Sequence, residues 1–211
     1  MEFDVSKIKV VFFDIGGVLL TNGWGHKSRQ KAAEHFGFNY DEMNVLHNFI
    51  YNVFEIGSIS IDDYLDTAVF HVPRDFTKEE FKDFMYAQSV ELPKMLAYVR
   101  EWKKQTELPI FALSNESREL NDYRIDKFKL HEVFDGFFSS CYVGMRKPDP
   151  RIYKEAMQIV QVKPLETIYF DDRELLAKTA EKLGMNAVHY KKFETTQKIL
   201  EKIISKSHRH E

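Results

Sequence analysis

The sequence predicts an α/β protein with a doubly wound parallel sheet, and three observations lead to this fold class. Short apolar runs recur along the chain, helical patterns separate most of them, and one long helical stretch interrupts the alternation. The five runs are Ile8–Phe13, Pro109–Leu113, Phe134–Ser139, Thr167–Phe170 and Ala187–Tyr190. They are rich in β-branched and aromatic residues and mostly lack polar alternation, which is typical of strands buried on both faces of a parallel sheet.

Helical spacing of apolar residues separates the later runs. Leu92–Gln105 is predicted to be a helix, and another helix is predicted to begin at Pro150, because proline is well suited to a first helical turn. A third helix is predicted from Leu175 to Leu183, where Gly184 stops it. Strands that alternate with helices in this way indicate a doubly wound sheet.

The interval between the first two strands is too long for a single crossover helix. Its helical stretches are His26–Phe36, Asp41–Phe54, Ile61–Phe70 and Thr77–Gln88, with breaks at Gly57, Pro73 and Asp75. We therefore expect two domains. Residues 1–21 and 90–211 form the α/β core, and residues 22–89 form a small helical domain inserted after the first strand.

Composition narrows the classes of partner and the cellular location. The net charge of the 211 residues is −3, so the many aromatic side chains are expected in a core, and no nucleic acid partner is expected. No apolar stretch is long enough to cross a bilayer, and the charged N-terminus does not resemble a signal peptide. With Cys141 as the single cysteine, we expect no disulfide and a cytoplasmic protein.

The sequence is compatible with a monomer and with a homodimer. The polar tail from Ser205 to Glu211 is predicted to fray, since chain ends without apolar residues have nothing to pack.

Four short motifs follow the predicted strands, where an open α/β sheet places its binding sites. The first strand ends in Asp14, and Gly16 and Gly17 allow the backbone to approach a ligand closely. Ser114 and Asn115 follow the second strand and offer a hydroxyl and backbone N–H groups to phosphate oxygens. Each motif also has an ordinary structural explanation, as a turn cap or a helix N-cap.

The other two motifs carry a cation and an acidic pair. Lys147 lies between Gly144 and Pro148, and a lysine in such a rigid segment suits an anionic ligand, although surface lysines are common. Asp171 and Asp172 end the fourth strand, where adjacent carboxylates repel each other unless a hard cation such as Mg²⁺ is bound. The alternative is a helix cap followed by a first-turn acid, which explains one aspartate better than two.

Together these motifs make the sequence resemble the haloacid dehalogenase superfamily, which carries Asp, Ser or Thr, Lys and Asp motifs in this order. The resemblance covers roughly Lys7–Asn22 and Leu92–Tyr190, and the helical insertion lies where members with the first type of cap carry theirs. The core sequences are similar to a subgroup that includes sugar-phosphate phosphatases and the phosphatase domain of soluble epoxide hydrolase. The resemblance implies a Rossmann-like core and a cap domain at residues 22–89.

The resemblance also implies a Mg²⁺-dependent phosphatase that acts on a small phosphorylated metabolite through an aspartyl-phosphate. Asp14 is then the catalytic nucleophile, and it binds the metal with Asp172 and the backbone carbonyl of Gly16. Asp171 is a further candidate metal ligand, although a supporting or helix-capping role suits it better. The residues expected to bind the phosphoryl group are Ser114, Asn115, Lys147 and Gly17, and Lys147 also has a catalytic role.

One position departs from the family pattern. Gly16 stands where most members carry a second aspartate, a general acid and base typically worth about 10² to 10⁴ in rate. We therefore expect slow or atypical turnover unless another group substitutes, and His26 and Glu116 are candidates because they follow site loops. Two alternatives are a phosphate-binding or regulatory protein without turnover and a 2-haloacid dehalogenase, against which the pair Asp171 and Asp172 argues.

Overall fold

The computed structural model describes residues 4–207, which fold around one parallel sheet. The strands are β1 (Val10–Phe13), β2 (Ile110–Ser114), β3 (Gly136–Ser139), β4 (Thr167–Asp171) and β5 (Asn186–His189). They lie in the order β3-β2-β1-β4-β5, and every neighbouring pair is parallel. The order reverses direction at β1, which confirms the doubly wound sheet and each of the predicted strands.

Helices cover the sheet and fill the long interval after β1. The α-helices of residues 4–207 are α1 (His26–Phe36), α2 (Tyr40–Glu55), α3 (Ile61–Ala68), α4 (Lys78–Ala87), α5 (Met95–Lys103), α6 (Arg118–Lys127), α7 (Ser140–Val143), α8 (Pro150–Ile159), α9 (Glu174–Lys182) and α10 (Phe193–Ser207). Asn39, Ser60 and Thr77 cap α2, α3 and α4 with their side chains, which explains where these helices begin. No helix of the described residues is long and apolar enough to cross a membrane.

Several elements differ from the sequence prediction, among them α5, α6 and α10. Helix α5 begins at Met95 rather than at Leu92, because Leu92 donates its N–H to Leu19 in an extended segment. Helix α6 was missed because it buries the polar residues Asn121 and Arg124 instead of an apolar stripe. Helix α10 includes residues 205–207, so the predicted fraying is wrong for them, and residues 208–211 lie outside the described residues.

The two faces of the sheet bury alternate residues of β1. Val11 and Phe13 pack into one apolar cluster, which includes residues of α5 and α10, and Val10 and Phe12 pack into another with residues of α8 and α9. Helices α1–α4 surround a third cluster that is rich in aromatic rings. The large fully buried side chains include many aromatic residues, which confirms that they belong to the core.

The helical segment (residues 22–89) leaves and rejoins the rest of the chain at neighbouring positions. Leu20 and Glu91 form an antiparallel bridge, and the N–H of Thr21 donates to the carbonyl of Val90 at 2.8 Å. The hydroxyl of Thr21 also donates to the carbonyl of Gln88 at 2.6 Å. Residues 20–21 and 88–91 are the two linkers of the helical segment, and they form one short ribbon. The sequence predicts the domain boundaries at these positions.

Candidate active site

Asp14 lies at the carboxyl end of β1, and its two carboxylate oxygens have different surroundings. Oδ1 accepts hydrogen bonds from the N–H of Ile15 at 2.9 Å and the hydroxyl of Ser114 at 2.7 Å, and Lys147 Nζ lies 3.2 Å away. Oδ2 accepts no hydrogen bond from the described residues and is not among their enclosed unpaired atoms. The carboxylate is therefore held by one oxygen while the other remains available.

Burial raises the pKa of Asp14 to about 7, and Asp171 and Asp172 act in the same direction. The charge of Lys147 and the hydroxyl of Ser114 oppose this rise. The pKa of Asp14 therefore depends on how much positive charge stands beside it. An added cation would favour the ionised carboxylate.

Lys147 is a fully buried cation between two carboxylates. Its Nζ lies 2.7 Å from Oδ2 of Asp171 and donates to the hydroxyl of Tyr169 at 2.7 Å, in addition to its contact with Asp14. Burial is the largest single influence and lowers its pKa, but Asp14 and Asp171 together outweigh burial, so the pKa of Lys147 is raised. The lysine is therefore charged, as binding a phosphoryl oxygen requires.

Both oxygens of Asp171 are already engaged. Oδ2 accepts from Lys147 and from the hydroxyl of Tyr169, and Oδ1 accepts from the N–H of Arg173 at 2.8 Å. These contacts suit a residue that positions Lys147. Sequence reasoning missed Tyr169, although the alternation of a strand places it on the same face as Asp171, two residues later.

Asp172 differs from Asp171 because one of its oxygens lacks a partner. Its Oδ1 is buried without a hydrogen bond, and its Oδ2 lies 3.5 Å from the side-chain nitrogen of Asn22. Burial, followed by the charge of Asp171, raises the pKa of Asp172. Gly17 has a φ of +73°, and a β-carbon there would lie 2.1 Å from Asp172 Oδ2, so only glycine allows this approach.

The acidic residues fit a divalent cation. One oxygen each of Asp14, Asp171 and Asp172 lies within 4.8 Å of the others, and Lys147 supplies one positive charge against these three. Because Oδ1 of Asp172 is buried without a partner, the cluster lacks a positive neighbour there. Hard cations with oxygen ligands, such as Mg²⁺, supply that charge. Gly16 lines the cavity beside Asp14, as the expected carbonyl ligand must.

Asn115 contributes to the site through Lys147. Its side-chain nitrogen donates to the carbonyl of Lys147 at 2.8 Å, and its oxygen accepts the N–H of Lys147 at 2.8 Å. This reciprocal pair holds the lysine segment against the end of β2. Since the side chain is engaged, the predicted contact of Asn115 with phosphate can come only from its backbone.

A cavity of about 340 Å³ lies between the strand ends and the helical segment. The core wall of this cavity includes Asp14, Gly16, Ser114, Asn115, Glu116 and Lys147. The helical wall includes Trp24, His26, Arg29, His47, Tyr51 and Glu55. The predicted site residues therefore face a wall contributed by the helical segment, which includes Asn22, Trp24 and His26, the residues that follow the first motif closely.

Glu116 and His26, the two candidates for the missing acid and base, both line this cavity. Glu116 is buried, and its Oε1 lies 3.3 Å from the hydroxyl of Ser114 and 2.6 Å from Nη1 of Arg124. His26 is exposed and contacts the hydroxyl of Tyr40 at 2.6 Å through Nδ1. Glu116 is therefore linked to Asp14 through a single side chain, whereas His26 is not.

Arg124 connects the site to the linkers and was missed by sequence reasoning. It is buried, and besides its contact with Glu116 it donates to the hydroxyl of Ser89 at 3.0 Å and to the carbonyl of Thr21 at 2.8 Å. A β-carbon on Gly23 would lie 2.1 Å from Nη2 of Arg124. One arginine thus joins both linkers of the helical segment to a cavity residue.

Known proteins match both the sequence and the fold. The chain is 27% identical over 195 residues to flavin mononucleotide hydrolase 1 of Arabidopsis thaliana, covering 92% of this chain and 77% of that protein. It is 25% identical over 188 residues to the sesquiterpene phosphatase astK of Aspergillus oryzae, covering 87% and 90%. A HAD family enzyme of Bacteroides thetaiotaomicron, crystallised with magnesium and inorganic phosphate, superposes with a TM-score of 0.75 at 22% identity, covering 87% and 94%.

A sequence model of one protein family matches most of this chain and supplies the family assignment. The description of that family is haloacid dehalogenase-like hydrolase, and its model matches residues 8–184, from before β1 to the end of α9. The match includes all four strand-end motifs and the helical segment. The resemblance inferred from the motifs is therefore confirmed, and the chain belongs to the haloacid dehalogenase-like hydrolases.

Proposed function

We propose that this hydrolase is a Mg²⁺-dependent phosphatase that cleaves small phosphomonoesters through a phosphoryl group carried on Asp14. The observation that carries this proposal is the pair of unlike oxygens on Asp14. Oδ1 is held by Ser114, Lys147 and a backbone N–H, and Oδ2 is available at the cavity. A carboxylate held in this way is oriented for attack on phosphorus.

The reaction that suits these residues has two steps. One carboxylate oxygen of Asp14 attacks phosphorus, the ester P–O bond breaks, and the substrate leaves as an alcohol once its oxygen gains a proton. Water then attacks the phosphoaspartate, releases inorganic phosphate and restores the carboxylate. Lys147 and Ser114 stabilise the charge on the phosphoryl oxygens in both steps.

Asp14 and Asp172 would hold Mg²⁺, together with the backbone carbonyl of Gly16. The metal supplies positive charge between the anionic nucleophile and the anionic substrate. Asp171 is better suited to positioning Lys147, since its oxygens are engaged. The similar fold of the Bacteroides enzyme, which was crystallised with magnesium and phosphate, supports this assignment.

Glu116 is our candidate for the proton transfer that Gly16 cannot perform. Its Oε2 makes no hydrogen bond with the described residues, and the side chain lines the cavity, so a carboxylate oxygen is available to a water molecule. A carboxylate paired with Arg124 suits a base better than an acid. We therefore expect good leaving groups, which need no proton, to react faster than alkyl esters.

The test is release of inorganic phosphate from p-nitrophenyl phosphate by the full chain, with Mg²⁺ and with EDTA. We expect turnover that requires Mg²⁺ and that falls at least about 10³-fold in Asp14→Asn, because the nucleophile is lost. Asp66→Asn is the matched control. Asp66 is an exposed aspartate paired with Lys78 outside the cavity, so this change should leave the rate unaltered.

Other outcomes identify the alternatives. Binding of phosphate without any turnover would indicate a regulatory protein. Release of halide from a 2-haloacid in EDTA would indicate a dehalogenase. Phosphate release that persists unchanged in Asp14→Asn would contradict the proposed role of Asp14.

A further inference from the structure

The helical wall of the cavity contains a buried arginine without a counter-ion. Arg29, in α1, is only 8% exposed. Its Nη1 donates to the carbonyl of Trp24 at 3.0 Å, its Nη2 donates to the side-chain oxygen of Asn44 at 3.3 Å, and its Nε is buried without an acceptor. All its partners are neutral, and no carboxylate of the described residues lies within 4.0 Å of it. A buried charge in such surroundings is costly unless an anion joins it.

The other buried or half-buried cations of the cavity are already paired. Lys147, Arg124 and Arg146 each have a carboxylate oxygen within 2.7 Å. Arg173 also lines the cavity but is exposed, so water solvates its charge. Among the described lining residues, Arg29 therefore combines burial, a positive charge and the lack of a negative partner.

His47 adds a neutral hydrogen-bond donor beside Arg29. Trp24 donates its Nε1–H to the hydroxyl of Tyr64 at 2.8 Å, and that hydroxyl lies 2.8 Å from Nδ1 of His47. Nδ1 is the only acceptor that the described residues offer to the proton of this hydroxyl, so the hydroxyl donates to Nδ1. Burial, with the charge of Arg29 acting in the same direction, lowers the pKa of His47 to about 3, so the ring is neutral. Its proton is therefore on Nε2, which has no hydrogen-bond partner in the described chain.

We propose that Arg29 and the Nε2–H of His47 bind a second anionic group of the substrate, a carboxylate or a phosphate remote from the phosphoryl group that is transferred. This inference rests on the proposed phosphatase activity and narrows its substrate class. The cavity of about 340 Å³ restricts the substrate to a small molecule. An apolar alkyl phosphate would cover Arg29 without compensating its charge, so it is a poor substrate.

The test compares two esters that differ in one group. 3-Phosphoglycerate carries a carboxylate where glycerol 3-phosphate carries a hydroxymethyl group. We expect kcat/KM to be at least about 10-fold higher for the acid, since a charge-assisted hydrogen bond is worth about 10- to 100-fold. Fructose 1,6-bisphosphate against fructose 6-phosphate makes the same comparison for a second phosphate, and the larger ratio identifies the anion.

Arg29→Gln should bring the ratio of kcat/KM values close to one, because the amide retains a donor but not the charge. Arg29→Lys should retain part of the preference, which also controls for a variant that folds poorly. Arg74→Gln is the matched control. Arg74 is a half-buried arginine of the same helical segment that donates to the carbonyl of Val69 at 2.8 Å and does not line the cavity.

The possible failures are distinguishable. Equal kcat/KM values for both members of both pairs, with p-nitrophenyl phosphate still hydrolysed, would overturn this inference and leave the phosphatase assignment intact. If no ester is hydrolysed, the phosphatase assignment fails. The dissociation constants of 3-phosphoglycerate and glycerol 3-phosphate, measured calorimetrically with Mg²⁺, then test the anion site separately. Equal constants overturn the anion site, whereas at least about 10-fold tighter binding of the acid, lost in Arg29→Gln, supports it.

Discussion

The core wall of the cavity lacks positive charge, whereas its helical wall lacks negative charge. On the core side, Lys147 faces the carboxylates of Asp14, Asp171 and Asp172, so positive charge is missing. On the helical side, Glu55 is paired with Arg146 while Arg29 is buried among neutral groups, so negative charge is missing beside Arg29. We propose that a divalent cation completes the first wall and that an anionic group of the substrate completes the second. The difference indicates that each wall is completed by a different part of the reacting complex.

Replacing Lys147 should produce the largest effect, because it removes positive charge from the core wall, which already lacks it. Lys147→Met leaves Asp14 and Asp171 buried without their cation. We expect a fall of about 10² to 10³ in kcat/KM and a loss of about 3–5 kcal/mol in the free energy of unfolding. Phosphate release and urea denaturation measure the two quantities.

The control for this change is Lys178→Met. Lys178 is an exposed lysine paired with Glu174 one helical turn away, so its loss should cost less than about 1 kcal/mol. An unfolding free energy of Lys147→Met that matches this control would contradict the buried charge cluster.

Adding a carboxylate at Gly16 should produce the next effect. Gly16→Asp restores the residue that most family members carry, and we expect about 10- to 100-fold faster hydrolysis of alkyl phosphates but little change for p-nitrophenyl phosphate. A β-carbon at Gly16 would lie 2.9 Å from Oδ1 of Asn22, a side chain that can move aside. Steady-state rates on both ester classes test this, with Asn22→Ala as the background variant. If the Gly16→Asp variant hydrolyses alkyl phosphates no faster than the unaltered protein, proton transfer does not limit turnover.

Asp14 in the core wall and His47 in the helical wall should also change the stability of the protein in opposite directions with pH. This is the smallest of the three expected effects. The folded pKa of Asp14 is raised to about 7, so its contribution to the stability of the metal-free protein is lost as pH rises from about 4 to 7. The folded pKa of His47 is lowered to about 3, so its contribution is lost as pH falls below its unfolded pKa of 6.5. Each slope is at most about 1.4 kcal/mol per pH unit.

Urea denaturation of the metal-free protein across this pH range measures both slopes. Asp14→Asn should remove the loss of stability towards neutral pH, and His47→Gln should remove the loss towards acidic pH. If the unfolding free energy changed with pH in the same direction for both residues, the opposite charge requirements of the two walls would be contradicted.

The core wall could be predicted from the sequence because its residues follow buried strands. Asp14, Ser114 and Asp172 each come after an apolar run, and parallel strands bring such positions to one edge of the sheet. The structure does bring these residues together with Lys147. Their catalytic and metal-binding roles remain predictions.

The helical wall could not be predicted because its contacts join distant helices. Arg29 and His47 lie on different helices, and their positions depend on how α1 and α2 pack against each other and against α3 and α4. The link from Trp24 through Tyr64 to His47 spans three segments without a motif. Arg124 was missed for a related reason, since a buried arginine on a polar helix gives no periodic signal. Sequence patterns report local structure and strand ends, whereas substrate selection depends on tertiary packing.

Trapping the phosphoryl group on Asp14 is the most direct test of its role as the nucleophile. The protein is mixed with Mg²⁺ and p-nitrophenyl phosphate, quenched in acid within milliseconds, digested and analysed by mass spectrometry. We predict a peptide containing Asp14 that is heavier by one phosphoryl group, absent in Asp14→Asn and lost when the acid quench is delayed until the substrate is consumed. Phosphate release without any such peptide, or a phosphoryl group on another residue, would contradict this account.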